Sequence, residues 1–203
     1  MRTLTPVERN KEEVCGLIAA IETNAHERRV KNFINSIFEN DKSYNINSED
    51  SQGRLPLVCA CAAKNIEMVN FLIKKGADVN LQSKYGLWPL LRATTIGSVE
   101  IVKRLIQVPG IKVDQPNIAG NTPLMVLCKE TELSEDDKKI IKILIKAGAN
   151  PDLENSEGVS ARSLKSDLFS TRSSSPKSLR KGGKTNKTRS IKKRKTIRKK
   201  SQK

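Results

Sequence analysis

The residues that could carry out catalysis are few in this sequence. Its one histidine, His26, lies near the start of a predicted helix, and no motif places a nucleophile beside it. Residues 182–185 read Gly-Gly-Lys-Thr, the ending of a phosphate-binding loop, but such a loop needs a glycine at position 178 and a strand before it. Position 178 is serine. The sequence therefore indicates that the chain is not an enzyme, and it predicts no cofactor.

The four cysteines do not form a metal or disulfide pattern. Cys59 and Cys61 are two residues apart on a predicted helix, so their side chains diverge. Cys61 and Cys128 occupy the same position of a repeated unit described below. We expect small buried thiols in a reducing compartment, and no metal site.

Positive charge is concentrated at the C-terminal end of the chain. The formal net charge is +16, and residues 168–203 contain fifteen Lys or Arg and no Asp or Glu. The other 23 basic and 22 acidic residues lie in 1–167, which is therefore nearly neutral. With few apolar residues, 168–203 cannot bury enough surface to offset its ordering entropy, and we expect a disordered basic tail.

The basic clusters of this tail suggest two kinds of partner. Short basic runs are typical of nuclear import signals, which importins bind, and of nucleic-acid patches. Few aromatic residues accompany them, so contacts with nucleic acid would be made to phosphates and not to stacked bases. A third alternative is a tail that only keeps the chain in solution. The candidate residues are Lys192, Lys193, Arg194, Lys195, Arg198, Lys199 and Lys200.

A stretch of fixed length recurs along the rest of the chain. It opens at Gly53, Gly86 and Gly120, so successive copies are 33 and 34 residues apart. A period in this range predicts a solenoid of stacked units. The second half of each copy has apolar residues at helical spacing, which predicts one buried helix face. These residues are Met68, Val69, Leu72 and Ile73, then Ile101, Val102, Leu105 and Ile106, then Ile140, Ile141, Leu144 and Ile145.

Each copy has glycine and proline where a turn followed by a helix needs them. The opening glycines are expected to adopt positive φ in a tight turn. Pro56, Pro89 and Pro123 fit the first position of a helix, where a missing N–H costs nothing. A glycine follows each second helix and is expected to end it in the left-handed region.

The full pattern, G-x-T-P-L-x-x-A-A followed by an apolar helix and G-A-D-V-N, resembles the ankyrin repeat over roughly residues 45–165. The resemblance implies an all-α ankyrin-repeat solenoid of stacked helix–turn–helix units with short turn hairpins, which binds other proteins. Only Thr122 keeps the family's threonine before the proline, and no copy keeps its histidine. Because the hydrogen bonds of that pair are missing, we expect stability to depend mainly on apolar packing.

The repeat register divides the chain into segments. Residues 1–47 are interpreted as a degenerate N-terminal capping repeat, with helices over Lys11–Glu22 and from about His26 to Glu39. Repeats are expected at 48–80, 81–114 and 115–152, and a half-repeat with one short helix at 153–167 completes the domain of residues 48–167. The third repeat is longer between its helices, where Ser134 is expected to cap the second helix. The tail occupies 168–203.

The resemblance also implies where a partner would bind. In ankyrin stacks the turns project as fingers, and the fingers and first helices form a concave face. For Trp88 two interpretations are open: packing against the neighbouring turn, or an exposed aromatic anchor of the kind favoured at interface hot spots. The candidate partner-binding residues are Ser51, Gln52, Arg54, Lys84, Tyr85, Leu87, Trp88, Ile118 and Asn121, with Thr95, Ile96, Lys129 and Glu130 as further candidates on the helices.

Two functions fit these observations. In the first, the repeats bind an unidentified protein on the concave face, and the cationic tail serves nuclear targeting or polyanion contact. In the second, the chain is a nucleic-acid-associated protein whose tail binds phosphates. No stretch approaches the ~20 apolar residues of a membrane span. We therefore expect an intracellular monomer without membrane contact, in the nucleus or cytoplasm. The Lys-, Asn- and Ile-rich repeats with a basic tail also resemble ankyrin proteins of large DNA viruses, which would place the chain in a host cell.

Overall fold

A computed structural model describes residues 5–22, 28, 30–32, 35, 36 and 45–169. The tail from residue 170 onward, with all of its import or polyanion candidates, lies outside these described residues. So does most of the helix expected from His26 to Glu39, although each described position within it is helical.

The helices of the described part begin and end as follows. They are α1 (Pro6–Glu22), α2 (Pro56–Ala62), α3 (Ile66–Lys74), α4 (Pro89–Thr95), α5 (Val99–Ile106), α6 (Pro123–Cys128), α7 (Glu135–Lys146), α8 (Ala161–Leu164) and α9 (Ser166–Phe169). α1 begins five residues before the predicted start at Lys11.

The helices stack in two rows. α1, α2, α4, α6 and α8 contact one another in succession and form an inner row, and α3, α5 and α7 form an outer row against it. No β-strand occurs in the described residues, where Glu154 and Ser160 form an isolated antiparallel bridge. The expected all-α solenoid of stacked repeats is confirmed.

A tight turn, here called a finger, precedes each inner helix after α1. Finger 1 is residues 50–54, finger 2 is 83–87, finger 3 is 117–121 and finger 4 is 155–159. The first residue of each finger donates its N–H to the carbonyl of the fifth, and the glycine at the fourth position donates to the carbonyl of the first. These N···O distances lie between 2.8 and 3.0 Å. Each finger is therefore a closed hairpin turn.

Side chains at the first finger position reinforce these turns. The Oδ1 atoms of Asp50, Asn117 and Asn155 each accept hydrogen bonds from the third and fifth backbone N–H groups of their own finger. Such Asx turns satisfy donors that the short hairpin leaves unpaired. Finger 2 begins with Ser83, whose hydroxyl accepts from the fifth N–H at 3.4 Å. The sequence analysis missed this contribution of the first finger position.

The opening glycines have positive φ, as predicted, and Gly120 shows why no side chain fits there. Its φ is 77°, and a Cβ at this position would lie 3.0 Å from the backbone nitrogen of Ser156 in the next finger. The absence of a side chain thus permits both the turn and the close approach of finger 4. A proline stands two residues after each of fingers 1 to 3 and occupies the first position of α2, α4 and α6, again as predicted.

The core is mainly aliphatic and lies between the two rows of helices. The predicted inward residues of α3 and α5 are buried or partly buried, and the same is true of three residues of α7. The fourth, Ile145, was expected to point inward but is 38% exposed. It lies on the side of α7 that no other repeat covers, so its predicted burial is wrong. The buried side chains belong chiefly to Leu, Ile, Val, Ala and Met.

The C-terminal end of the described part differs from its prediction. Two short helices, α8 and α9, take the place of the one expected helix, and α9 extends to Phe169, beyond the expected start of the tail at residue 168. Arg162 of α8 links the two helices, because it donates to the Phe169 carbonyl at 3.0 Å. It also forms a bidentate pair with Asp152 of the preceding segment. At α7 the prediction is confirmed, since Ser134 and Asp137 form a capping box.

A ladder of asparagine side chains ties successive repeats together in the segments that connect each outer helix to the next finger. Asn47 Oδ1 accepts from the Asp78 N–H at 2.8 Å, and its Nδ2 donates to the Gly76 carbonyl at 3.3 Å. Asn80 makes the same two bonds one repeat later, to the Lys112 N–H at 2.8 Å and the Gly110 carbonyl at 2.9 Å. Each bond pair satisfies backbone groups at the end of an outer helix.

The third position of this ladder is an aspartate. Asp114 Oδ2 accepts from the Asn150 N–H at 3.0 Å, but a carboxylate cannot donate to the carbonyl of Gly148, the equivalent helix-ending glycine. Its Oδ1 is buried and has no hydrogen-bond partner. Burial raises the pKa of Asp114 above its usual 3.8, against the opposing effect of the Asn150 hydrogen bond. The ladder is therefore incomplete between the last two full repeats.

We predict that Asp114→Asn stabilises the chain by about 1 kcal/mol at neutral pH, because an amide supplies the missing donor. Since the folded-state pKa of Asp114 is raised, the folded wild type binds more protons than the unfolded chain over the window from the ordinary pKa of 3.8 up to the folded-state value. The contribution of Asp114 to the free energy of unfolding is therefore fully present below that window, and it is lost as the pH rises through it. The advantage of the variant should shrink toward pH 4. Urea denaturation across this pH range measures the effect.

The matched control is Asn80→Asp, which creates the same defect one repeat earlier. It should destabilise the chain by a similar amount at neutral pH, because the Gly110 carbonyl then loses its donor. An Asp114→Asn chain that is no more stable than the wild type at any pH would contradict the role assigned to the ladder.

Candidate functional site

The fingers carry the exposed apolar side chains that could bind a partner. Tyr85 of finger 2 is 56% exposed and Ile118 of finger 3 is 77% exposed. Ile118 lies directly over Gly86, where an added Cβ would be 2.5 Å from its Cγ1. The tips of fingers 2 and 3 therefore present two neighbouring apolar side chains on adjacent turns.

Finger 2 is held against finger 1 by its lysine. The Lys84 side chain lies over Gly53, and the Lys84 backbone N–H donates to Glu49 Oε1 at 2.5 Å. Its Nζ lies 4.9 Å from the centre of the Tyr85 ring, within the range of a cation–π interaction. These contacts fix the position of Tyr85 relative to finger 1.

An ion pair within finger 1 positions Arg54. Both Nε and an Nη of Arg54 lie 2.7 Å from Oδ2 of Asp50, whose side chain is fully buried. Burial alone would raise the pKa of Asp50, but the backbone N–H and guanidinium of Arg54 outweigh it and hold the pKa below its usual value of 3.8. Asp50 therefore stays ionised and keeps Arg54 against the finger.

A groove opens between fingers 1 and 2 and the helices α2 and α4. Its volume is about 210 Å³. Its lining combines apolar side chains with Cys59 and two arginines. The lining residues are Gly53, Arg54, Leu55, Val58, Cys59, Ala62, Ser83, Tyr85, Leu87 and Arg92. This groove and the tips of fingers 2 and 3 form one continuous candidate surface, because Tyr85 belongs to both.

Most predicted partner-binding residues lie at the surface. Ser51, Gln52, Lys84, Tyr85 and Ile118 are exposed, and Arg54 and Leu87 are half-buried in the groove lining. Among the further candidates, Thr95, Lys129 and Glu130 are exposed and Ile96 is half-buried. Whether any of them contacts a partner stays a prediction.

Trp88 is not at the surface, and the hypothesis of an exposed aromatic anchor is wrong. Its side chain is 0% exposed and packs within the core between repeats. It lies directly before α4 in extended backbone (φ −131°, ψ 166°), which turns the side chain inward toward the helices. Its indole Nε1 is buried without a hydrogen-bond partner. Trp88 is therefore a packing residue.

Asn121 is also unavailable to a partner. It is 7% exposed, and its Oδ1 accepts a hydrogen bond of 2.8 Å from Nδ2 of Asn155 in finger 4. This buried amide pair links the bases of fingers 3 and 4. Asn121 therefore holds neighbouring repeats together.

Sequence analysis missed the helical part of the groove. Val58, Cys59 and Ala62 lie on α2, and Arg92 lies on α4. Cys59 and Arg92 are 33 residues apart and occupy the same register position of neighbouring repeats. A search for polar residues at that position of the inner helices would have found Arg92.

The thiols have the character expected of buried cysteines. Cys59, Cys61 and Cys128 are buried and Cys15 is half-buried, all as free thiols. Burial raises the pKa of Cys61 far above its usual value and that of Cys128 to about 11. In the described residues no group of three or more His, Cys, Asp or Glu could hold a metal ion. A search of the same residues for a helix long and apolar enough to cross a membrane finds none.

Comparison with known families identifies the repeats. The family model for multiple ankyrin repeats matches residues 57–106, and the model for the single ankyrin repeat matches residues 119–156. Together with the stacked turn–helix–helix units, these matches show that the chain is an ankyrin-repeat protein. Proteins of this family are generally non-enzymatic modules, and their repeats typically mediate protein–protein interaction.

Individual relatives span widely different sources. ANK repeat-containing protein nipk-1 of Caenorhabditis elegans is 35% identical over 130 residues, which is 59% of this chain and 21% of that protein. Probable 26S proteasome regulatory subunit p28 of Saccharomyces cerevisiae is 28% identical over 131 residues, 64% of this chain and 56% of p28. An ankyrin repeat protein of fowlpox virus is 31% identical over 104 residues, 50% of this chain and 29% of that protein. The chain spans about a fifth of nipk-1, so the similarity concerns the repeats alone.

We predict that Trp88→Ala lowers the free energy of unfolding by about 3–5 kcal/mol, because it opens a cavity in the core between repeats. Trp88→Phe should cost distinctly less, since the indole N–H that it removes has no acceptor. Urea denaturation followed by circular dichroism measures both changes without relying on the lost fluorophore.

Tyr85→Ala serves as the surface control and should change stability by no more than about 0.5 kcal/mol. A Trp88→Ala chain that unfolds at the wild-type urea concentration would show that Trp88 is not packed in the core.

Proposed function

We propose that this chain is a non-enzymatic binding module whose partner is another protein, bound across the tips of fingers 2 and 3 and the groove. The observation that carries the proposal is the adjacent exposure of Tyr85 and Ile118 on turns fixed by hydrogen bonds. Large apolar side chains exposed side by side are typical of interaction sites, and tyrosine is enriched at interface hot spots. The proposed contact residues are Ser51, Gln52, Arg54, Lys84, Tyr85, Leu87 and Ile118.

The rigidity of the fingers supports this proposal. Each finger is closed by two backbone hydrogen bonds, and Lys84 and Ile118 each lie over the glycine of the preceding finger. A surface that is already ordered loses little conformational entropy on binding. The yeast relative p28 is described as a regulatory subunit of a larger assembly, and a role of that kind requires a binding surface.

We predict that the double substitution of Tyr85→Ser and Ile118→Ser weakens partner binding by roughly tenfold or more, because it removes two exposed apolar anchors. The partner is first isolated by affinity purification with the full chain, and its binding is then measured directly by titration calorimetry. Ile145→Ser is the matched control, since it removes another exposed isoleucine on α7. Equal loss from the control, or unchanged binding by the double variant, would refute the proposed surface.

A second function rests on the charge of residues 168–203. We propose that this segment, with fifteen cations and no acid, directs the chain to the nucleus or contacts a polyanion. In either case the chain would act inside a cell, in the nucleus or the cytoplasm. The clusters at Lys192–Lys195 and Arg198–Lys200 are the proposed contacts.

We predict that binding of the full chain to duplex DNA depends steeply on salt. The logarithm of affinity should fall by about 0.9 per phosphate neutralised for each unit of log salt, which gives a slope near −5 for roughly 6 contacts. A chain with the same tail composition in scrambled order should retain DNA binding, because net charge survives, but should lose import of a fused fluorescent reporter if the tail is an import signal. Salt-independent binding would contradict a purely electrostatic tail.

A further inference from the structure

The groove between fingers 1 and 2 has the size and lining of a pocket for one apolar side chain. Its volume is about 210 Å³, and Val58, Ala62 and Leu87 contribute apolar walls. An apolar cavity of about 150 Å³ holds a benzene molecule. The groove therefore has room for one branched aliphatic or aromatic side chain.

The charged residues that line the groove are positive. Arg54 and Arg92 are among the lining residues, and no acidic residue is. Arg54 is already paired with the buried Asp50 at 2.7 Å. Arg92 is half-buried on α4. Among the described residues its guanidinium has neither a hydrogen-bond acceptor nor a carboxylate at ion-pair distance. Within the described part of the chain, Arg92 is thus a cation without a paired anion beside an apolar pocket.

A partly desolvated guanidinium selects a planar anion. It presents a fixed fork of donors that matches a carboxylate in a bidentate arrangement. Recognition of phosphorylated residues typically uses clusters of arginines. Of the two arginines that line this groove, one is already paired with Asp50, which leaves only Arg92 for an anion. The pocket and Arg92 together therefore favour a carboxylate next to an apolar side chain.

We propose that the groove binds a segment of a partner protein in which an apolar side chain enters the pocket and an adjacent Asp or Glu pairs with Arg92. This assignment rests on the proposed function and names the chemistry of the partner. Cys59 lines the pocket, so its thiol should be covered when the apolar side chain is in place.

Peptide display tests the proposal with the full chain. A library of random decapeptides is selected against the wild type and, in parallel, against Arg92→Glu. The wild type should select peptides that place Leu, Ile or Phe beside Asp or Glu, and the charge-reversed chain should select Lys or Arg at that position. Wild-type peptides without acidic preference, or the same peptides from both chains, would overturn the proposal.

Selected peptides are then measured individually. Arg92→Ala should weaken binding by about tenfold or more, since a charge-assisted hydrogen bond is lost. Ala62→Trp should abolish it by filling the pocket, whereas Ala63→Trp, on the exposed neighbour, should leave it unchanged. Circular dichroism verifies that each variant is folded, and a misfolded Ala62→Trp chain leaves Arg92→Ala as the deciding variant.

Alkylation by N-ethylmaleimide gives an independent readout. Bound peptide should slow labelling of Cys59 at least several-fold, as resolved by fragment mass spectrometry. If peptides are lost with Tyr85→Ser and Ile118→Ser but not with Ala62→Trp, the finger surface stands and the groove assignment fails. A selection that yields no peptide protecting Cys59 also overturns the groove assignment, while the finger variants still test the proposed function separately.

Discussion

Burial of aliphatic side chains between adjacent repeats is the interaction on which the rest of this structure depends. A single turn–helix–helix unit cannot cover its own apolar faces, and stacking supplies the missing neighbours. Leu72, Leu105 and Leu144, one from each outer helix, are fully buried in this way. Because the stack fixes the spacing of repeats, hydrogen bonds over 31 to 32 residues become possible, as at Asn47 and Asn80. The polar ladder therefore follows from the apolar packing.

The same constraint decides which side chains are left for binding. Trp88 and Asn121 lie at the junction between a finger and its inner helix. Trp88 packs in the core, and Asn121 bonds to Asn155 of the next repeat. At the tips of the turns Tyr85 and Ile118 stay mostly exposed, although Ile118 itself lies over Gly86 of the preceding finger. The side chains proposed to bind a partner thus occupy positions that the packing does not use.

The fold could be predicted from sequence because it rests on local rules repeated at a fixed spacing. Three local signals recur in register: glycine where φ is positive, proline at the first helical position, and apolar residues at helical spacing. Each of them indicates one kind of local structure. Ile145 was mispredicted because the periodicity of α7 does not reveal which side a neighbouring repeat covers. The burial of Trp88 could not be decided from sequence, because a residue at the junction of finger and helix can point either into the core or toward solvent.

The candidate site was harder to predict for a related reason. The finger residues follow from the family pattern, but the groove depends on how α2 and α4 lie against each other. Arg92 becomes a candidate only once the structure shows that the space beside it is apolar and that no described residue pairs with its guanidinium. Asp114 shows the same limit, since its defect appears only beside Asn47 and Asn80 in the assembled ladder. Such features depend on distances between residues of different repeats, and the sequence pattern of one repeat does not specify those distances.

Hydrogen exchange of the full chain, with and without its purified partner, tests the central claim most directly. If the fingers and groove form the binding surface, exchange should slow in residues 50–62, 83–92 and 117–121. The outer helices α3, α5 and α7 should be unchanged. Protection confined to the outer helices would contradict the account.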